Sequence, residues 1–325
     1  MILKEKQIHA RIIDFDFEKK NIVTPIYFPS VSSYGLKVPF ERLIEIVNKY
    51  NLPRILISSY DFFKYNESKL FSFIDEYKKD KLLFLDSGCY ESYWFSDKQW
   101  NYDSYKKIIE KCKPAIYSSF DYIPVGNITK KEIIEKNFEY INKCDFLGNS
   151  IFVPIFHSYK TSHIMNMIDK YLQLKNGECQ FIAVSEREIG EDILSMLKNL
   201  KSIRNIIDSH NENIILHILG CGYPLNILLY TAVGVDSFDS RDWAKRAFNK
   251  FNLLAYPLSY LHTFDCNCDV CNEFKGDYII KVLLHNLILY ENLINSIRKW
   301  IQEGELYDVI NNYIYDEDIM KEIKK

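Results

Sequence analysis

Eight short apolar runs, separated mostly by longer stretches of helical periodicity, restrict the fold of this 325-residue chain more than any other feature. The runs are IVTPIYF (22–28), RILISS (54–59), LLFLD (82–86), AIYSSF (115–120), IFVPIF (151–156), QFIAV (180–184), IILHIL (214–219) and VDSF (235–238). Runs of this length are too short for helices and suit strands buried on both faces. Between them, FERLIEIVNKY (40–50) places Leu43, Ile46 and Val47 on one face. KKEIIEKNFEYI (130–141) does the same with Ile133, Ile134, Phe138 and Ile141, and EDILSMLKNLKSI (191–203) is similarly patterned. Strands that alternate with helices pair in parallel. No glycine-rich dinucleotide fingerprint follows any run, so the expected class is α/β, a closed (β/α)8 TIM barrel rather than an open doubly wound sheet.

The run CNCDVC supplies Cys266, Cys268 and Cys271, and His285 follows fourteen residues after the last of them. Three thiols and an imidazole make a four-ligand set for tetrahedral zinc, with His262 as the rival fourth ligand. The cluster lies after the eighth run and before HNLILYENLINSIRKWIQEG (285–304), which reads as a long helix. The expected organisation is a barrel over 1–255 and a zinc-binding subdomain with C-terminal helices over 256–325. The other five cysteines are scattered, and no charged-then-apolar leader or membrane-length apolar run is present. The expectation is a cytoplasmic protein with reduced thiols and no membrane partner. A net charge of −3 advertises no global field for nucleic acid, so such contacts would need a local basic patch.

In a barrel, chemistry collects where strands end. Those ends carry Asp86, Asp121, His157, Ser185 with Glu186, and Asp239. An aspartate that opens a loop before a helix often serves as its N-cap, and a lone histidine is often a core or cap residue. The recurrence at successive ends is what a site assembled from many loops requires. One carboxylate can attack carbon and another can move protons. A third can accept hydrogen bonds from a base edge. Spacing alone does not say which is which.

The stretches LDSGCYE (85–91), SSFDYIP (118–124), HILGCGYP with AVGVDSFDS (217–240) and CNCDVC with LHNL (284–287) resemble, in order, motifs of the tRNA-guanine transglycosylases. That superfamily includes the queuine and archaeosine tRNA-ribosyltransferases. The opening ARIIDFDFEKKNIVTPIYFPSV is similar to the family's first hairpin and strand. The resemblance spans about residues 8 to 304. It implies a base-exchange enzyme on a zinc-bearing barrel that replaces a guanine of a polynucleotide with a 7-deazaguanine. By motif position, Asp239 would attack the sugar C1′, Asp86 would be the general acid and base, Asp121 would bind the base edge, and Tyr90 would stack on its face. Ser87, Glu91, His157, Ser185 and Glu186 fall in the same base-pocket segments. The zinc would be structural, with His285 preferred to His262 because its LHNL setting matches the family.

Departures from the family pattern fall in the base pocket. Cys89, Tyr90 and Glu91 stand where a small residue, an aromatic and a glutamine are usual. Phe156-His157-Ser158 replaces a Val-Gln-Gly loop, and Ser185-Glu186-Arg187 replaces a Gly-Gly-Leu turn. With both mechanistic aspartates kept, this implies altered substrate choice rather than lost catalysis. After Asp239 the chain reads SRDWAKRAFNK, and Arg241, Lys245, Arg246 and Lys250 form a basic cluster able to meet phosphates or to serve as a solvated face. That stretch is closer to the archaeal tRNA enzymes and the DNA 7-deazaguanine transglycosylases than to the bacterial ones. Only some twenty residues follow residue 304, too few for an appended RNA-binding domain, so DNA is expected slightly ahead of tRNA as substrate. The competing readings are a tRNA enzyme, a non-catalytic nucleic-acid-binding subunit, and a nucleoside hydrolase using the same carboxylates. A homodimer or a helper subunit is compatible with each.

Overall fold

The computed structural model of the protein describes residues 1–325 apart from Lys19, Asn66, Val125, Asn127 and Lys325, and apart from the side chains of Glu67 and Ser68. Strands β1 (Ile2–Gln7), β2 (Ala10–Phe17) and β3 (Lys20–Val23) form an antiparallel sheet. The barrel strands follow as β4 (Ile26–Val31), β5 (Arg54–Ser58), β6 (Leu82–Asp86), β7 (Ile116–Ser118), β8 (Ile151–Val153), β9 (Ile155–Phe156), β10 (Phe181–Ser185), β11 (Ile215–Leu219) and β12 (Ser237–Ser240). Their order is β8-β7-β6-β5-β4-β12-β11-β10-β9, parallel throughout. β8 and β9 are two halves of one stave interrupted by Pro154, which has no N–H to give a ladder. The upper half is tied across the break by the Ile155 amide on Ser119 Oγ at 2.9 Å and the Ala183 amide on the Pro154 carbonyl at 2.9 Å. With that stave shared, the sheet closes as an eight-staved (β/α) barrel.

The first run departs from expectation. IVTPIYF does not make one strand: Ile22 and Val23 belong to β3, and the barrel strand begins only at Ile26. Pro25 cannot donate to either ladder, so the chain turns there although its apolar character is continuous. The helices match their patterns more closely, at Phe40–Lys49, Lys130–Cys144 and Ile193–His210. The last long helix starts earlier than the sequence suggests and runs Tyr278–Glu303 behind an Asp277 cap that accepts from the Ile280 amide.

Strand periodicity of two sorts the side chains into two shells. Ile26, Phe28, Leu56, Leu82, Phe84, Ile116, Val153, Ile155, Phe181, Ala183 and Ile215 fill the barrel interior with Ile13, Phe15 and Ile22 from the N-terminal sheet. The alternate residues, such as Tyr27, Ile55, Leu83, Leu85, Tyr117 and Val184, face the helices. The helix Tyr278–Glu303 packs its buried face into this outer shell, and Tyr290 stacks on Tyr27 at 4.1 Å and 10°. A short hairpin of β13 (Arg246–Phe248) and β14 (Ala255–Pro257) lies between the barrel and that helix. Among the described residues no helix is long and apolar enough to cross a membrane.

Candidate active site and metal centre

Continuing each inward row beyond its last apolar residue reaches a polar one. Ser30 follows Phe28, Ser58 follows Leu56, Asp86 follows Phe84 and His157 follows Ile155, each two residues on; Ser185 and Asp239 occupy the equivalent places on β10 and β12. These six residues line one cavity of about 350 Å³ at the C-terminal end of the barrel, with Tyr90, Glu91, Asp121, Arg187, Glu188, Arg241 and Lys245 in the same wall. None of the three aspartates caps a helix. The helix after β6 begins behind Gly88, and the helix after β7 behind Thr129 with a full capping box.

Asp239 is held on three sides. Ser30 Oγ donates to Oδ2 at 2.5 Å, the Gly220 amide donates to Oδ1 at 3.1 Å, and His217 Nε2 lies 3.3 Å from Oδ1 outside hydrogen-bond geometry. His217 is itself oriented by Ser237 Oγ at 2.8 Å from Nδ1. Asp86 has a sparser shell, with Ser118 Oγ donating to it at 3.3 Å. Burial, reinforced by the charges of Asp121, Glu91 and Asp239, raises the Asp86 carboxyl well above the usual carboxylate range. The two aspartates thus differ in surroundings: one is fixed by donors, the other is pushed to keep its proton.

His157 bridges two more acids. Its Nδ1 is 3.0 Å from Glu188 Oε2 and its Nε2 is 3.4 Å from Asp121 Oδ2. Burial works against its charge, but Glu188 and Asp121 outweigh burial and raise the imidazole well above its ordinary value. The buried Asn137 fixes the backbone beneath it, accepting from the His157 amide at 2.9 Å and donating to its carbonyl at 3.1 Å. Asp121 Oδ1 is buried with no hydrogen-bond partner among the described residues. Glu91 is set deeper in the wall by Ser32 Oγ at 2.7 Å and Ser58 Oγ at 3.0 Å. Gly88 lets this turn approach Tyr60: at φ +74 a Cβ there would sit 2.5 Å from the Tyr60 backbone nitrogen.

Some expected residues lie elsewhere. Ser87 and Glu186 each follow an inward residue by one position, so the pleat turns them away from the cavity. Ser87 is fully buried and receives the Cys89 amide, while Glu186 accepts from Asn226 Nδ2 at 3.0 Å and is raised by burial. Arg241 and Lys245 reach the cavity wall, but Arg246 is exposed beside Tyr223 and Lys250 bonds Asn267. The Tyr90 ring already carries the Arg187 guanidinium at 4.5 Å and the Arg241 guanidinium at 5.2 Å. Ser30, Ser32, Ser58 and Glu188 escaped sequence reasoning. For Glu188 the signal was a 3-10 turn, Glu186–Glu188, which returns residue i+3 to the face of Ser185.

The candidate metal ligands converge away from this cavity. The donor atoms of Cys266, Cys268, Cys271 and His285 all lie within 4.8 Å of one another, and His285 Nδ1 is 3.5, 3.6 and 3.4 Å from the three sulfurs in turn. A tetrahedral ion such as zinc, with bonds of about 2.3 Å to sulfur and about 2.0 Å to nitrogen, sets those atoms about 3.5 Å apart, so the residues fit one. His285 Nε2 bonds the Phe248 carbonyl at 2.8 Å, which leaves Nδ1 free to ligate. His262 is outside the cluster and packs near Tyr278. The adjacent Asn286 donates to the Trp243 and Arg246 carbonyls at 2.7 and 2.6 Å and accepts from the Phe248 amide. The metal-ligand helix therefore holds the segment that follows Asp239.

With this geometry in hand, the model of the family described as queuine tRNA-ribosyltransferase matches residues 6–318. The tRNA-guanine(15) transglycosylase of Sulfolobus acidocaldarius is 21% identical over 340 residues, covering 96% of this chain and 66% of its own length. The protein of the same name from Nanoarchaeum equitans is 24% identical, covering 95% of this chain and 76% of its own. A shorter match, to the tRNA-guanine(15) transglycosylase of Methanopyrus kandleri, is 34% identical over 106 residues, 29% of this chain and 23% of that protein. The chain thus spans about two thirds of the length of the first of these relatives.

Proposed function

Because this chain belongs to the queuine tRNA-ribosyltransferase family, we propose that it exchanges a guanine of a polynucleotide for a free base through a covalent enzyme–sugar ester. The Asp239 carboxylate attacks C1′ as the C1′–N9 bond breaks, and the leaving guanine takes the proton of Asp86. The incoming base then gives its N9 proton to Asp86 and attacks C1′, and the ester bond to Asp239 breaks. The supporting observation is the pairing in one cavity of a carboxyl driven to hold its proton with a carboxylate fixed by Ser30 and Gly220. Asp121 Oδ1, buried in the same wall with no hydrogen-bond partner among the described residues, suits the N–H groups of a base edge. A 7-deazaguanine is the proposed incoming base, with His157, Glu188 and Ser185 shaping the pocket around it. Tyr90 is proposed to stack on it once Arg187 has moved off the ring.

The relatives' names favour tRNA as the polymer, and nothing among them favours the expected DNA. Both are arms of the test. Purified protein is incubated with labelled guanine and, separately, with tRNA and duplex DNA. Label is expected in tRNA, and a covalent adduct is expected with wild type but not with Asp239→Ala. Label in neither polymer, with no adduct, overturns the reading; exchange by the chain alone would make a helper unnecessary. We propose that the metal is zinc and structural, since four protein ligands leave no position for substrate, and that residues 256–325 act as the subdomain it staples. About one zinc per chain is expected, lost in Cys268→Ser; retention of metal by that variant refutes the assignment. Reduced cysteines suit the cytoplasm, where we place the protein.

A further inference from the structure

The helix Cys89–Trp94 carries more aromatic surface than the cavity uses. Tyr90 faces the cavity, but Tyr93, Trp94 and the following Phe95 are 47%, 48% and 48% exposed. Single exposed aromatics are ordinary; a contiguous group beside a cavity is not. The group continues the cavity wall. Trp94 is 6.1 Å from Tyr90 and lies nearly parallel to Tyr34 at 6.0 Å and 17°, while Tyr34 meets Tyr90 and Phe95 edge-on at 6.0 and 5.2 Å. Cations border the same rings. The Arg241 guanidinium sits 5.2 Å from both Tyr34 and Tyr90, Arg187 sits over Tyr90, and Lys245 lines the cavity without a salt bridge among the described residues.

We propose that Trp94, backed by Tyr34 and flanked by Tyr93, is a stacking platform for an unpaired nucleotide adjacent to the one whose base enters the cavity. The proposal rests on the reading that the cavity takes a base from a polynucleotide. Extracting a base leaves its neighbours with an unstacked face, and a flat aromatic beside the cavity restores that contact without reading sequence. Cations at the cavity rim, the exposed Arg187 and the half-buried Lys245 among them, beside flat exposed rings suit a strand whose phosphates and bases both face the protein. An apolar protein partner would meet the rings but gain nothing from these arginines.

The test measures binding of a labelled single-stranded oligonucleotide containing one guanine, so it reads the platform whether or not exchange occurs. Trp94→Leu is expected to bind roughly five- to a hundredfold more weakly than wild type, Trp94→Phe to recover most of the loss, and Tyr315→Leu, which removes a 90% exposed tyrosine, to bind as wild type. Oligonucleotides abasic on one side of the guanine or the other place the contact. On one side the abasic change and Trp94→Leu are expected to be non-additive. Equal binding by wild type and Trp94→Leu, or full additivity on both sides, overturns the proposal. Equal binding accompanied by a change in sedimentation would reassign the patch to a protein–protein contact. If wild type exchanges guanine but Trp94→Leu binds normally, the platform fails and the functional reading stands; if wild type binds no polynucleotide, both fail.

Discussion

The two ends of the barrel bury charge in opposite ways. At the N-terminal end Arg11 forks onto Asp208 with two bonds of 2.8 Å, and Arg204 reaches Asp208 at 2.8 Å and Asp236 at 3.1 Å. Two guanidiniums face two carboxylates, both arginines have fully buried side chains, and Asp236 also takes the Leu216 amide. Burial still lowers Arg204 to about 10, but each charge has an opposite within reach. At the C-terminal end Asp86, Glu91, Asp121, Glu188 and Asp239 crowd one cavity, with His157 between Asp121 and Glu188, His217 3.3 Å from Asp239, and the cations at its rim. Matched charge ties the N-terminal sheet to the barrel. Unmatched charge leaves Asp86 as a carboxyl whose proton affinity is raised, which is what acid–base chemistry needs.

Substitutions at the two ends should therefore fail differently. The largest effect is expected for Asp239→Asn, which removes the nucleophile: exchange should fall by roughly 10⁴-fold or more with the thermal midpoint little changed. A variant that keeps exchange would break the contrast outright. Asp86→Asn should cost roughly 10²- to 10⁴-fold in rate. Its pH behaviour is the sharper readout. A carboxyl raised in the folded state favours folding fully below the ordinary aspartate value, about 3.9, and that contribution is lost as pH rises through the raised value. The carboxamide of Asp86→Asn, a mimic of the protonated form, should escape that loss, so the variant should gain stability relative to wild type with rising pH. The wild-type rate should fall over the same interval as the acid form disappears. An alkaline limb identical in the two proteins would remove Asp86 from the acid–base role.

Much of the site was legible because apolar runs ended in Asp86, Asp121, His157 and Asp239, and the barrel gathers strand ends by construction. Parity along each strand explains the rest. Counting by two from Phe28 and Leu56 finds Ser30 and Ser58, and counting by one from Asp86 and Ser185 excludes Ser87 and Glu186. Serine on its own is too common a residue to draw notice; its significance lies in the carboxylates it holds, Asp239 and Glu91. The first strand was misplaced because hydrophobicity does not register a change of partner, and Pro25 marks that change only through its missing donor. The four candidate metal ligands do come together, since close spacing gathers three of them and the helix brings the fourth. Arg11, Arg204 and Asp236 were silent in the sequence, because nothing in linear order pairs Arg11 with Asp208, 197 positions on, or Arg204 with Asp236, 32 positions on.

Those silent residues carry the third prediction. Arg204→Met keeps the length and apolar stem but leaves Asp236 buried beside one remote cation, Arg11 Nε at 3.8 Å. Losing one partner of a buried charge pair costs roughly 3–5 kcal/mol, read as a lower denaturation midpoint. Exchange per folded molecule should be retained, the reverse of the Asp239→Asn result. A variant that is stable but inactive would mean that the two ends are coupled and that the matched network serves the chemistry as well.

The smallest effect is expected at His157, which sits between two carboxylates of the acid-rich end. Replacing a charged donor between two carboxylates by a neutral one should cost about 1.5–3 kcal/mol, and His157→Gln retains one donor, so the lower figure is expected. The cost should depend on pH. Because Glu188 and Asp121 raise the imidazole despite burial, its contribution is full below the ordinary histidine value of about 6.5 and disappears as pH rises through the raised folded value. The stability gap between wild type and His157→Gln, measured by denaturant titration across that interval, should therefore close with rising pH. At Arg204 the gap should hold over the same range, since a guanidinium at about 10 stays charged there. A His157 gap that stayed constant would mean that the imidazole is neutral in the folded protein.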